Sequence, residues 1–161
     1  MKQRDLEKEF ESVFEKYGKM LYKIAFLYLG NASDAEDALQ EVFIKYLKAD
    51  KAFKNDGHLK AWLIRVTQNK CKDYLKSPFR NSGSYDESID FMNSDSDLSI
   101  DVIKKTVALP QKYKSVIILH YYYDYSVKEI STTLKISESA VKMRLKRGRE
   151  ILKMELEDYI Q

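Results

Sequence analysis

Lys142, Met143, Lys146 and Arg147 fall in one short stretch near the end of the chain. At about 100° per residue, Met143 and Lys146 share a helix side with Ser139 and Glu150, Lys142 and Arg147 flank it, and Val141, Leu145, Gly148 and Leu152 lie opposite. A helix that packs by one side and offers amines and a guanidinium on the other suits a major groove, with its base acceptors and phosphates. The plain alternative is a solvated basic face. Other chemistry finds little support. His58 and His120 stand far apart and Cys71 is the only cysteine. No Gly-rich phosphate loop and no paired metal-ligand spacing is present, so no catalytic set, metal or cofactor is expected.

A groove-reading face needs a helix ahead of it to set its angle, and the preceding residues have that grammar. Ser126 is placed to cap a short helix whose Val127, Ile130 and Leu134 face inward; Lys135-Ile136 makes the turn; Ser137 caps the next helix. The charge pattern agrees. The net charge of +3 is uninformative, but Lys142 to Lys153 holds six basic residues against Glu150 alone. Asn81 to Ile103 holds no Lys or Arg and six acids, Asp86, Glu87, Asp90, Asp95, Asp97 and Asp101.

Five glycines, two prolines and apolar steps of three and four predict an all-α chain of two small helical domains joined by a flexible acidic linker. The expected boundaries are 1–78, 79–99 and 100–161. In the first domain a helix runs from about Leu6 to Leu29, with Phe10, Val13, Phe14, Tyr17, Leu21, Ile24, Ala25 and Tyr28 on one stripe. Gly30-Asn31 stops it, and Ser33 is the expected cap of a second helix ending near Lys48. A third runs from about His58 to Lys76, and Ser77-Pro78 ends it. Leu109-Pro110 separates the first two helices of the second domain. The longest apolar runs, such as Ile24 to Leu29 and Val116 to Leu119, fall far short of the roughly 20 residues needed to cross a bilayer. The charged N-terminus lacks a secretory pattern, and a single cysteine fits a reducing cytoplasm.

The second helix buries Leu39, Val42, Phe43 and Tyr46 and leaves Asp37, Gln40, Glu41 and Ile44 on an exposed stripe. An exposed Ile ringed by acid and amide suits a protein-binding surface, and equally an ordinary solvated face. The third helix and the loop before it mix aromatic and basic residues, which suits single-stranded DNA. Trp62, between Leu59, Leu63 and Val66, reads as core, as does Cys71, for which a redox role is the rival. His120 either touches a phosphate or packs among Tyr121, Tyr122 and Tyr123.

From Leu109-Pro110 through Tyr125-Ser126-Val127-Lys128-Glu129-Ile130 to Ile136-Ser137-Glu138-Ser139-Ala140-Val141-Lys142-Met143-Arg144-Leu145-Lys146-Arg147-Gly148-Arg149, the sequence is similar to region four of bacterial extracytoplasmic-function sigma factors. Asp34 to Leu47 resembles their region two. The resemblance implies a sigma factor that directs promoter-specific initiation with promoter melting. Its partners would be core RNA polymerase, through the largest-subunit clamp helices and the flap, promoter DNA, and an anti-sigma protein, without membrane insertion. It places Ser137, Ser139, Lys142, Met143, Lys146, Arg147 and His120 at the minus-thirty-five element. Phe53, Lys54, Asn55, Lys60, Arg65 and Asn69 fall at the minus-ten element, and Asp37, Gln40, Glu41 and Ile44 on the polymerase. Gly148 departs from the usual alanine, a mild cost to the helix. A stand-alone helix-turn-helix regulator accounts for the C-terminal half equally well but leaves the second and third helices unexplained.

Overall fold

The computed structural model describes residues 3–50, 52–77 and 100–160, with side chains described over 5–50, 52–77 and 100–153. The expected connector at 79–99 lies outside the described residues. Seven α-helices occur among the described residues: α1 (Gln3–Leu29), α2 (Ala32–Lys48), α3 (Asp56–Lys76), α4 (Ile100–Ala108), α5 (Gln111–Ile117), α6 (Val127–Leu134) and α7 (Glu138–Ile160). Between α5 and α6 the chain continues as a π-helical turn, Ile118–Tyr122. No strand occurs among the described residues.

Local chemistry sets most boundaries. Gly30, at φ 79°, closes α1 with its N–H on the Phe26 carbonyl at 2.7 Å, a left-handed position that glycine occupies without strain. The cap of α2 is Asn31, not Ser33, because the reversal at Gly30 brings the Asn31 side-chain oxygen within 2.8 Å of the Asp34 N–H. Ser33 lies inside the helix, exposed. Similarly α3 begins two residues earlier than the apolar pattern suggests, since Asn55 accepts from the His58 N–H at 2.8 Å. Phe14, on the same stripe of α1, is 45% exposed, and its ring leans on Phe10 and Phe43.

In the first unit α1 packs on both α2 and α3, and in the second α5 and α6 pack on α7. The two units also touch. Phe26, Leu27, Tyr28 and Leu29 are consecutive and all buried, which a helix achieves only when covered on every side. Contacts from α4 to α1 add cover to this end of α1, and α6 separately meets α3.

Gly148 is required by this packing. A Cβ there would stand 2.8 Å from Cγ1 and 2.9 Å from Cδ1 of Ile117, which is itself buried in α5. The alanine that would improve helix propensity by up to about 1 kcal/mol must displace a buried β-branched side chain, at a cost of about 1–3 kcal/mol. Gly148→Ala is therefore expected to lower the melting temperature, and a thermal melt followed by circular dichroism checks the sign.

Candidate nucleic-acid and protein interfaces

The helix-turn-helix is held by side-chain bonds at each junction. Ser126 Oγ accepts from the Glu129 N–H and Glu129 Oε1 accepts from the Ser126 N–H, both at 3.0 Å, a complete capping box. That bond from the Ser126 backbone comes first in holding the Glu129 carboxyl below its ordinary range. Lys135 takes the left-handed conformation at φ 58°. Ser131 Oγ donates to the Ile136 carbonyl at 2.6 Å across the turn, and Ser137 Oγ accepts from the Ala140 N–H at 3.1 Å to start α7. Ser126→Ala removes one side of the box, with an expected loss of about 1 kcal/mol measurable by urea unfolding.

Ile130, Val141 and Leu145 anchor α6 and α7 inward. Ser137, Ser139, Lys142, Met143, Lys146 and Arg147 are all exposed, Met143 at 63%. Arg147 pairs with Glu150 at 3.2 Å one turn on. His120 lies in the π-helical turn, half-buried, with Nδ1 2.8 Å from the Tyr125 carbonyl and its ring edge-on to Tyr121. That bond makes Nδ1 the protonated nitrogen and leaves Nε2 for an outside partner.

The loop ahead of α3 is built on an aromatic floor. Phe53 meets His58 and Trp62 edge-on at 5.4 Å each and stacks beside Tyr46 at 6.3 Å, so its ring faces the protein. Trp62 is buried, as is Cys71. Burial first, then the Glu9 carboxylate that accepts from its hydroxyl, pushes Tyr46 up to about 12. Lys54, Asn55 and Asn69 are exposed, and the Lys54 N–H donates to His58 Nδ1 at 3.1 Å. Lys16 on α1 tethers the start of α3, just beyond the loop, by its 2.7 Å pair with Asp56. That bond first, then the neighbouring Tyr17 hydroxyl, holds Asp56 below the ordinary carboxylate range. The composition of α1 gave no pointer to Lys16, one of several lysines on a solvated face. Lys60 and Arg65 face the second unit: Lys60 Nζ sits 5.5 Å over the Tyr125 ring, and Arg65 Nη1 donates to the Thr133 carbonyl at 2.8 Å.

On α2, Asp37, Gln40, Glu41 and Ile44 are all exposed as the periodicity predicts. Glu41 leans toward Lys70 of α3 at 3.9 Å. Gln40 and Ile44 instead edge an apolar groove of about 450 Å³ between α1 and α2, lined by Phe10, Phe14, Phe43 and Leu47. The sequence reading missed this groove. Its signal is the apolar excess on the outer faces, Phe14 on α1 and Leu47 beside Ile44 on α2. No cluster of metal-ligating side chains occurs among the described residues, and no helix there is long and apolar enough to cross a membrane.

A family model for sigma-70 region 2 matches residues 13–78, and one for sigma-70 region 4 matches residues 104–152. The chain belongs to the sigma-70 family. Among relatives, it is 30% identical over 168 residues to the ECF RNA polymerase sigma factor SigW of Bacillus subtilis, covering 92% of this chain and 89% of that protein. It is 28% identical to RNA polymerase sigma factor SigV of the same organism, over 84% of this chain and 83% of that one. Both its regions and its relatives place it in the ECF group, as an RNA polymerase sigma factor directing transcription initiation. The same fold occurs in CnrH, solved in complex with the cytosolic domain of CnrY, with a TM-score of 0.68 and 22% identity over 94% of this chain and 90% of that one. It occurs too in RpoE of Bartonella quintana, solved with the anti-sigma factor NepR, with a TM-score of 0.68 and 18% identity over 93% of this chain and 98% of that one. In sigma-70 terms, region 2 takes in α2, α3 and most of α1, and region 4 runs from within α4 to Leu152 in α7.

Proposed function

We propose that this sigma factor docks on core polymerase through the α2 face and its groove, reads a minus-thirty-five element with α7, and captures melted minus-ten DNA with the loop and first turns of α3. The division of labour follows the units at 1–78 and 100–161, with the acidic stretch 79–99 between them passing through the positively charged nucleic-acid path of the polymerase. Gln40 and Ile44 meet the clamp helices, Asp37 and Glu41 flank them, and region 4 engages the flap. Lys142, Met143, Lys146 and Arg147 face the duplex with Ser139, while Ser137 combines its capping role with a place at the phosphates and His120 offers Nε2. Asn55, Lys54, Lys60, Arg65 and Asn69 meet the single strand. Phe53 acts by supporting the pocket floor, since its ring is turned inward.

Extruding a base costs a few kcal/mol of stacking, which contacts on the flipped base must offset. No bond-making step belongs to the chain itself; the polymerase supplies the chemistry, in the cytoplasm. Because two proteins of this fold were solved with CnrY and with the anti-sigma factor NepR, an anti-sigma protein is expected here too, over the same surfaces.

The observation that supports this reading most is the pairing, on one chain, of an exposed basic recognition face with an exposed apolar groove on the other unit. Run-off transcription from pooled genomic fragments tests it, using purified core polymerase with and without the chain. Initiation at defined sites only when both are present is the expected result. Duplex binding by the chain unaided, with no core association and no transcripts, would favour the stand-alone regulator.

A further inference from the structure

An open cleft of about 700 Å³ lies between the first half of α3 and α6. Its size is that of a small-molecule site, commonly about 300–1,000 Å³. Charge sets it apart. Lys60 and Arg65 stand on the α3 side, Lys128 and Lys135 on the α6 side, and among the described residues Glu129 is the one carboxylate on its walls. That carboxylate is engaged with its own helix cap, where Oε1 accepts from the Ser126 N–H at 3.0 Å. Four like charges gathered around one cleft repel one another, and an anion between them turns that repulsion into attraction. Other groups on the walls donate as well. His58 Nδ1 accepts from the Lys54 N–H at 3.1 Å, which puts the proton of the neutral ring on Nε2. Gly57 lies in the first turn of α3, where backbone N–H groups have no partner within the helix and the dipole end is positive. Arg65 gives Nη1 to the Thr133 carbonyl at 2.8 Å, and a guanidinium has five N–H donors, so the rest of its fork remains for a second acceptor.

We infer that this cleft binds a compact oligophosphate, either inorganic or carried by a nucleoside. A carboxylate or a single phosphate leaves most of the four cations unmatched, whereas a run of two or three phosphates answers their number. Phosphate oxygens also suit the donors: Arg65 offers a planar fork, the lysines offer point charges, and the start of α3 offers a backbone N–H. Tyr125, with Lys60 Nζ 5.5 Å over its ring, and Ala61 supply an apolar wall against which a base can lie. The inference goes beyond the promoter reading proposed above. That reading gives Lys60 and Arg65 to the single strand, but Lys128 and Lys135 have no part in it.

Isothermal titration calorimetry of the full chain with tripolyphosphate, ATP and adenosine tests the site, at about 0.15 M salt, where loose attraction to surface charges is screened. Tripolyphosphate and ATP are expected to bind and adenosine is not. Equal affinities for the two identify the phosphate chain as the ligand, and tighter binding of ATP adds the nucleoside, held against Tyr125. Amide spectra of the isotope-labelled chain should shift at Gly57, Lys128 and Thr132. Lys128→Gln combined with Lys135→Gln, at two exposed positions whose stems are largely kept, should weaken binding about tenfold. Thr132→Glu, which sets a carboxylate among the same cations from an exposed position, should abolish binding with no fall in melting temperature. No binding of either phosphate compound would overturn the site. So would amide shifts confined to the basic face of α7, or an affinity that both variants leave unchanged. The titration needs neither polymerase nor promoter, so a failure of run-off transcription would bear on the functional reading alone.

Discussion

Ile44→Glu is expected to weaken binding to core polymerase about thirtyfold while moving the melting temperature by no more than about 2 °C. The two expectations come from the same observation. Ile44 is 50% exposed at the edge of the apolar groove, with Leu47 at 51% and Phe14 at 45% beside it. Free water already bathes half the side chain, so the fold loses little when it changes, within the roughly 0.5 kcal/mol typical of surface substitutions. A partner that covers the groove desolvates the position fully, and an apolar anchor at the centre of an interface is commonly worth about 2 kcal/mol or more, a factor of about 30. A buried unpaired carboxylate adds its own penalty. Fluorescence anisotropy of the labelled chain against purified core polymerase measures the affinity. An unchanged affinity would move the docking surface away from α2.

How far the fold was legible in the sequence depended on the range of the interactions. The helix-turn-helix is written in residues three to five apart, so Ser126, Lys135 and Ser137 could be given roles from spacing alone, and the structure bears these out. The cap of α2 is equally local but was read wrongly. Asn31 and Ser33 are both capable residue types, and only the left-handed turn at Gly30 decides between them. The packing between units was out of reach for a different reason. Arg65 and Thr133 are 68 residues apart, and Lys114 and Tyr28 are 86 apart, so no periodicity connects them. Nothing in the residues near Lys114 marks it for burial, yet it is buried in the fold. One trace was nonetheless present. Ile24 to Leu29 is apolar all round a helix, too short to span a bilayer and too uniform for a surface helix, which leaves burial on both sides. Gly148 shows the converse limit, because propensity alone made it a defect and the side chain of Ile117 makes it a fit.

On the recognition helix, Lys146→Ala and Lys142→Ala are expected to fail in different ways. Lys146 shares the exposed side with Met143 and Ser139, opposite the anchoring Val141 and Leu145, so it points into the groove when α7 lies there. Lys142 flanks that line and faces the groove wall. A base-reading side chain contributes discrimination, so Lys146→Ala should cost about 1–3 kcal/mol, about fivefold to 150-fold in affinity, on the promoter found by run-off and much less on an unrelated duplex. A phosphate contact carries no sequence information. Lys142→Ala should therefore weaken all duplexes alike and reduce the slope of log affinity against log salt by about 0.9. Arg147 lies on the opposite flank but already pairs with Glu150; a phosphate contact would require exchange of that carboxylate, so Arg147→Ala should change the slope by less. Titration of polymerase-bound chain against matched and unmatched duplexes at several salt concentrations separates these outcomes. A loss for Lys146→Ala that is equal on both duplexes would mean that α7 is rotated in the groove from the angle its packing on Ile130, Val141 and Leu145 implies.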